Sequence, residues 1–162
     1  MRSLFICEKM DNVSKDYKCL FISQPLAQEY AEGRLTVHLM PRKTSYRGEV
    51  IVCALDGTGC EPDYPDGCWL ARAVLTDCKR VDALTDDERR SSDIMLHTNT
   101  ERRRGWCYVL QDVRRLVEYP CYGEGFMAKE LNGDDMVEYP THVILDDKGY
   151  RMIMAGVWKG KN

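Results

Sequence analysis

The pattern of hydrophobic residues changes period between Phe21 and Leu55, and each change predicts an element of structure. A short apolar strand ends at Ser23–Gln24. Pro25 follows, and its fixed φ is typical of the first residue of a helix. Apolar residues then recur at helical spacing as far as Gly33, a residue type that often lies just beyond a helix end. The sequence therefore predicts a strand followed by a short helix.

A second strand is predicted at Thr36–Met40, and Pro41 ends it. Lys43–Gly48 is a basic segment rich in hydroxyl groups, which predicts a loop. The next strand, Glu49–Leu55, carries apolar residues on both faces, a pattern typical of a central strand that is covered on both sides. The predicted order is therefore strand, helix, strand, cationic loop and buried strand.

The middle of the chain contains a further strand pattern and one helix signal. Cys68–Leu75 predicts a strand with four apolar residues on one side, which are Trp69, Ala71, Ala73 and Leu75. Thr85 and Glu88 have the spacing of a capping box, in which each side chain bonds the backbone of the other residue. This pair predicts a short helix from Leu84 to about Ser92.

Alternation returns at Trp106–Gln111 and predicts a strand with two different faces. One face carries Trp106, Tyr108 and Leu110, and the other carries Cys107 and Val109. Asp112–Leu116 predicts a turn into another strand at Val117–Pro120. Thr141–Leu145 and Tyr150–Ala155 predict a hairpin around a turn at 146–149. About six to eight short strands with few helices favour a barrel or a curled sheet.

Composition limits the class of protein. The chain has 162 residues, enough for one domain with a proper core, and 44% of them are hydrophobic, as in a soluble globular protein. A net charge of −3 gives no overall attraction to nucleic acid, so any such binding requires a local cationic patch. No apolar run is long enough for a membrane span, and residues 1–7 are too short for a signal peptide. We expect a cytoplasmic protein.

The eight cysteines are expected to be free and mostly buried thiols, because several lie in apolar strand patterns and no Cys-x-x-Cys pair occurs. If any disulfide forms, Cys60 and Cys68 are the pair expected, since they flank one loop of Pro, Gly and Asp residues. The three histidines are scattered, and the ligand spacing of a zinc site is absent. We expect neither a metal nor another cofactor.

An ordered set of residues gives a resemblance to a known family. It consists of Gln24-Pro25 with Ala27, Gly33, Thr36-Val37, and Thr44 with Tyr46-Arg47-Gly48 before an apolar strand. This set resembles the opening motif of ASCH domains, which belong to the PUA-like superfamily of small β-barrels. A looser similarity extends over residues 19–125. The resemblance implies an α+β, mainly β fold, a PUA-like small barrel with one or two short helices. Residues 1–18 would then be an N-terminal extension, and 126–162 a C-terminal hairpin extension of the same domain.

The chain also departs from the family pattern. The family usually has Lys, Glu and Arg where this chain has Leu35, His38 and Met40, and the usual loop Trp is Arg42. Some small members of the superfamily hydrolyse an acetylated cytidine with a Lys, a Thr and a Glu. The Lys and Thr positions are Leu35 and His38 here, so the resemblance predicts that this mechanism fails.

The cationic loop is the strongest candidate for chemistry. Arg and Lys with neighbouring hydroxyls are the groups that hold phosphate, and a tyrosine ring can stack on a base. The predicted nucleic-acid-binding residues, beside the cleft that the resemblance implies, are Gln24, Arg34, His38, Arg42, Lys43, Thr44, Tyr46 and Arg47. A structural alternative stays open for three of these residues. In it, Arg47 braces the loop by bonding carbonyls and carboxylates, Gln24 caps the helix, and His38 is a satisfied structural residue of its strand.

The sequence and the resemblance together predict binding of RNA, another nucleic acid or a nucleotide through a cationic cleft. Two other functions stay open. One is a hydrolase that acts on a modified nucleoside, and the other is a protein-interaction domain whose ancestral pocket has decayed. Arg102–Arg104 form a further basic run, which is expected to be a solvated loop.

Overall fold

A computed structural model describes residues 16–55, 64–65, 67–94, 105–116, 140–145 and 150–151, together with the backbone of 126–127 and 158–159. Eight strands form one sheet within this part of the chain. They are β1 Asp16–Ile22, β2 Val37–Met40, β3 Gly48–Ala54, β4 Cys68–Arg80, β5 Trp106–Leu116, β6 Phe126–Met127, β7 Thr141–Leu145 and β8 Trp158–Lys159. Two short helices accompany the sheet, α1 Leu26–Ala31 and α2 Asp86–Arg90, with a 3₁₀ turn at Val81–Ala83. The expected mainly β class with short helices is confirmed.

The strands lie in the order β2-β5-β4-β3-β1-β7-β6, and β8 pairs with β5. All the pairs are antiparallel except β1 with β3, whose connection passes through α1 and β2. The described pairs leave β2 and β6 at the two ends of the order, so they form a sheet and do not close a ring. Closure into a small barrel stays a prediction.

The predicted central strand is confirmed as β3, which lies between β1 and β4. Its residues from Val50 to Ala54 are all buried. Val50 and Val52 pack in a large core with Ala27 and Tyr30 of α1, while Ile51 packs in a second core on the other face. Covering both faces explains why this segment is apolar throughout and does not alternate.

The predicted faces of the strand that begins at Trp106 are also confirmed. Trp106, Tyr108 and Leu110 pack on the core that contains α1, whereas Cys107 and Val109 pack with Leu84 and Ile94 in a third cluster. The turn predicted at Asp112–Leu116 is wrong, because β5 continues to Leu116. Asp112 has a φ of +52° and lies where β5 has one residue more than β4, which identifies a bulge. Of the polar residues that indicated a turn, Asp112 lies in this bulge, whereas Arg114 and Arg115 pair with Arg72 and Ala71 of β4.

The predicted side for Trp69 is wrong for a similar reason. Val52 pairs with Ala71 and Cys53 pairs with Trp69, so Leu70 is an extra residue on β4. This bulge shifts the alternation by one residue. Trp69 therefore packs in the second core with Cys53, while Ala71, Ala73 and Leu75 pack in the first.

The edge of β2 is protected by the residues that follow α2. The backbone N–H groups of Thr36 and Val37 donate to the carbonyl oxygen of Ser91 at 2.8 and 3.0 Å. Further along the strand, the fully buried carboxylate of Asp93 accepts from the N–H of Leu39 at 2.8 Å. The segment thus takes the place of a neighbouring strand and satisfies an edge that would otherwise be open.

The helices agree in part with the sequence. Pro25 is the N-cap residue of α1 and not its first residue, while Gly33 has the positive φ of 76° expected just beyond the helix end. The capping box of Thr85 and Glu88 is confirmed, although α2 is shorter than predicted. Burial raises the pKa of Glu88, but its bonds to Lys79 and Thr85 outweigh this effect and leave the pKa lowered.

The expected C-terminal hairpin is partly wrong. β7 pairs with β1 and β6, and residues 150 and 151 are helical, so no strand begins at Tyr150. Tyr150 packs against the second core. Several other predictions lie outside the described residues, namely those for 1–15, 102–104, 117–120, 146–149 and 152–155.

The five cysteines in the described part of the chain, Cys19, Cys53, Cys68, Cys78 and Cys107, are buried, as expected. Cys60, the partner considered for Cys68, lies outside the described residues. Burial and the nearby Asp93 carboxylate raise the pKa of Cys107 to about 12.

None of the described helices has the length and apolar character that crossing a bilayer requires.

We expect Asp93→Ala to lower the free energy of unfolding by roughly 2–4 kcal/mol, because Leu39 and His38 both lose a buried acceptor. Asp93→Asn keeps one oxygen acceptor and should lose less. Asp82→Ala, which removes an exposed carboxylate from the 3₁₀ turn, is the control and should change stability by less than about 0.5 kcal/mol. Urea denaturation measures all three, and equal stability of Asp93→Ala and Asp82→Ala would contradict the role given to Asp93.

Candidate functional site

Gln24 lies at the start of α1 and is almost fully buried. Its side-chain oxygen accepts from the backbone N–H of Gln28 at 3.0 Å, and its amide nitrogen donates to the carbonyl of Pro65 at 2.7 Å. Both ends of this side chain are therefore engaged in the fold. The geometry favours the helix-capping interpretation of Gln24 over contact with a base.

Arg34 follows α1 and forms ion pairs with Glu29 and Glu32. Its Nη1 lies 2.8 Å from Glu32, and its Nε lies 2.8 Å from Glu29. The bonds to Glu29 raise the pKa of Arg34. These two carboxylates cancel the charge that Arg34 would offer to an anion, so this residue adds little to an anion site.

His38 points into the protein from β2 and is buried. Its Nδ1 lies 3.0 Å from the Asp93 carboxylate, and its ring makes an edge contact with Tyr30 at 5.1 Å between centroids. Burial raises the pKa of the Tyr30 hydroxyl, with a smaller contribution from Asp93, and this hydroxyl donates to the carbonyl of Val37 at 2.7 Å. His38 therefore belongs to a satisfied polar network that holds α1, β2 and the residues after α2 together.

The predicted cationic loop is confirmed as an irregular segment between β2 and β3, and its centre is held by its own side chains. The Thr44 hydroxyl is buried and accepts from the N–H of Tyr46 at 3.1 Å. Arg47 donates to the carbonyl oxygens of Thr44 and Tyr46 at 3.1 and 2.8 Å, and its Nη2 lies 3.7 Å from Asp77. The bracing interpretation of Arg47 is therefore favoured.

Tyr46 is fixed from two sides. Its hydroxyl group donates to the carbonyl oxygen of Glu49 at 2.6 Å. A Cβ added to Gly48 would lie 3.0 Å from the hydroxyl oxygen of Tyr46. Gly48 has a φ of +140°, so glycine is required here both for space and for conformation. One side of Tyr46 lines an open groove of about 450 Å³. The groove is lined by both acidic and basic side chains, so it is not an anion site. Its other lining residues are Asp16, Tyr17, Lys18, Glu49 and His142.

Arg42 and Lys43 have a different environment from the other cations. Both are exposed, and neither forms an ion pair with a carboxylate in the described part of the chain. The carbonyl of Arg42 accepts from the hydroxyl of Tyr108 at 2.7 Å, which ties the start of the loop to β5. The ammonium of Lys43 lies 5.1 Å from the centre of the Trp106 ring.

Two residues that the sequence did not suggest complete this surface. Arg80 is the last residue of β4 and Trp106 the first of β5, and the two are cross-strand partners. The Arg80 guanidinium lies 5.7 Å from the centre of the Trp106 ring. Arg80 also lacks an ion pair among the described carboxylates. We call Arg42, Lys43, Arg80 and Trp106 the Trp106 patch.

The eight predicted residues thus do not form one site. Gln24 and Arg34 belong to the ends of α1, His38 lies in the interior, and the structural bonds of the loop engage Thr44, Tyr46 and Arg47. Lys43 is brought together with Arg80 and Trp106, and Arg42 precedes Lys43 in the chain with its carbonyl bonded to Tyr108. The only signal for Arg80 was its position beside Trp106 in a correct β4–β5 register, which the bulges make difficult to obtain from the sequence.

Comparisons with known proteins add no further assignment. No protein-family model matches the chain, and no curated protein matches it.

Two arginines of the loop allow a matched test of these roles. We expect Arg47→Ala to lower the midpoint of thermal unfolding and to speed tryptic cleavage after Lys43, because the carbonyls of Thr44 and Tyr46 lose their donor. Arg42→Ala should leave both unchanged, since no described residue bonds its side chain. If the two variants behaved alike, the loop would not depend on Arg47.

Proposed function

We propose that this chain is an ASCH-type domain of the PUA-like class that binds RNA or a nucleotide through the Trp106 patch. The observation that carries the proposal is that two cations, Lys43 and Arg80, lie over one partly buried indole ring, while Arg42, the neighbour of Lys43 in the chain, is exposed and has no carboxylate partner among the described residues. Cationic side chains bind phosphate and aromatic rings bind bases, so the patch has both kinds of group that a nucleotide needs.

The family part of the proposal is supported by the ordered motif between Gln24 and Ala54 and by the mainly β fold. The motif residues have structural reasons to be there: Gln24 caps α1, Gly33 follows it, and Gly48 makes room for Tyr46. The proposal implies that the sheet curls into a small barrel, beyond what the described strand pairs show. The binding surface differs from the cleft that the resemblance implies, since it lies at the ends of β2, β4 and β5.

Nucleic-acid binding is proposed in preference to hydrolysis of a modified nucleoside. Leu35 packs against the main core at the position of the hydrolase Lys, and it has no amine to stabilise a developing charge. His38 stands for the Thr and is held by Asp93 in the interior. No specific contact favours the hydrolase, and we do not propose it.

Salt dependence tests the proposed function. Three phosphate contacts on a single strand predict that log K falls against log salt with a slope of about −2. Arg42→Ala combined with Lys43→Ala should remove most oligonucleotide binding and reduce the slope to about −0.7, because one cation of the patch remains. Fluorescence anisotropy of a labelled RNA oligonucleotide at several salt concentrations measures both quantities.

The control is Arg34→Ala combined with Arg90→Ala, which removes the same formal charge from cations that are already paired with carboxylates. This variant should bind like the parent protein. If the Arg42/Lys43 double variant bound RNA as tightly as the parent protein, the patch would be refuted. If both double variants lost the same affinity, binding would depend on the net charge of the protein and not on the patch. RNA binding that does not change with salt would contradict phosphate contacts through the patch.

A further inference from the structure

The Trp106 ring packs on the main core from the end of a strand. It lies at the first residue of β5, between Met40 of β2 and Arg80 of β4 in the strand register. It packs against the main core but remains partly accessible. Three strands therefore hold Trp106 in place, and part of its ring is accessible to solvent.

Two cations lie over this ring at distances where cation–π attraction acts, Lys43 at 5.1 Å and Arg80 at 5.7 Å. At exposed sites this attraction is weak, so a phosphate that offers a full negative charge competes well with the ring. The two cations can move from the ring to phosphates while their backbone positions stay fixed by the sheet and by the bond between Tyr108 and Arg42.

We infer that the ligand of the Trp106 patch is a short single strand of nucleic acid, whose unpaired base stacks on Trp106 while Lys43 and Arg80 bind the phosphates beside it. The inference rests on the proposed function and adds the class of nucleic acid. A base in a duplex already stacks on its neighbours and offers no free face, whereas an unpaired base does. Three cations on an acidic chain also suit a few phosphates and not a long duplex track.

An abasic oligonucleotide separates the base from the phosphates. We expect an intact RNA hexanucleotide to bind at least about fivefold more tightly than an abasic strand of the same length, since stacking on one aromatic side chain gives this much. A duplex of the same sequence should bind no better than the abasic strand. A DNA hexanucleotide, which shares the base and the phosphates, shows in a parallel titration whether the sugar contributes.

Two variants identify the stacking residue. Trp106→Leu keeps an apolar side chain on the core but has no π face, so intact and abasic strands should bind it equally, with the abasic affinity unchanged. Trp106→Phe keeps a ring and should retain most of the difference between the two strands. Circular dichroism and the thermal midpoint verify that both variants fold, and the Phe variant carries the test if the Leu variant does not fold.

The possible failures are distinguishable. If intact and abasic strands bind the parent protein equally and with steep salt dependence, the stacking inference is wrong and the proposed function stands. Tighter binding of the duplex, or an equal loss for both strands in Trp106→Leu, would also overturn the inference. If neither strand nor inorganic polyphosphate binds at low salt, the proposed function fails as well.

Discussion

The buried carboxylate of Asp93 is the contact on which the arrangement around β2 depends. It accepts from the backbone of Leu39 and meets His38, so it satisfies both an edge strand and a buried imidazole. With β2 fixed in this way, Met40 lies opposite Trp106 in the register with β5. The chain then leaves β2 at a defined point, and Tyr108 holds the carbonyl of Arg42. An interior network of hydrogen bonds thus determines where the exposed cations of the loop begin.

A competition between internal and external partners distinguishes the cations of the chain. An arginine that bonds a carboxylate or a backbone carbonyl of its own chain gains hydrogen bonds, and no ligand has to lose translational and rotational freedom. Arg34 and Arg47 have such internal partners. Lys43 and Arg80 have only an aromatic ring as a described partner, and a ring holds a cation more weakly than a carboxylate does. The difference in partner, and not the difference in sequence context, separates structural cations from those available to an anion.

The sequence predicted the elements whose pattern depends on local burial. The apolar run of β3, the alternation of β5 and the capping box of α2 each reflect contacts that repeat along one segment, and all three are confirmed. The bulges at Leu70 and Asp112 depend on the residue count of a partner strand, which no single segment contains. For the same reason Arg42 and Lys43 were found from their charge, while Arg80 and Trp106, which only the β4–β5 register brings to them, were missed.

The acidic net charge of the chain does not conflict with a local cationic surface. Several of the described carboxylates are engaged in pairs such as Arg72 with Glu49 and Arg115 with Glu32, where the opposite charges cancel over short distances. Beyond about 8–10 Å, physiological salt screens what remains. A phosphate close to Trp106 therefore responds to the charges within a few ångströms, and there Lys43 and Arg80 dominate the described surroundings. The remaining negative charge repels those parts of a polyanion that extend past the patch and come within this screening distance of other carboxylates, and this favours a short ligand over a long one.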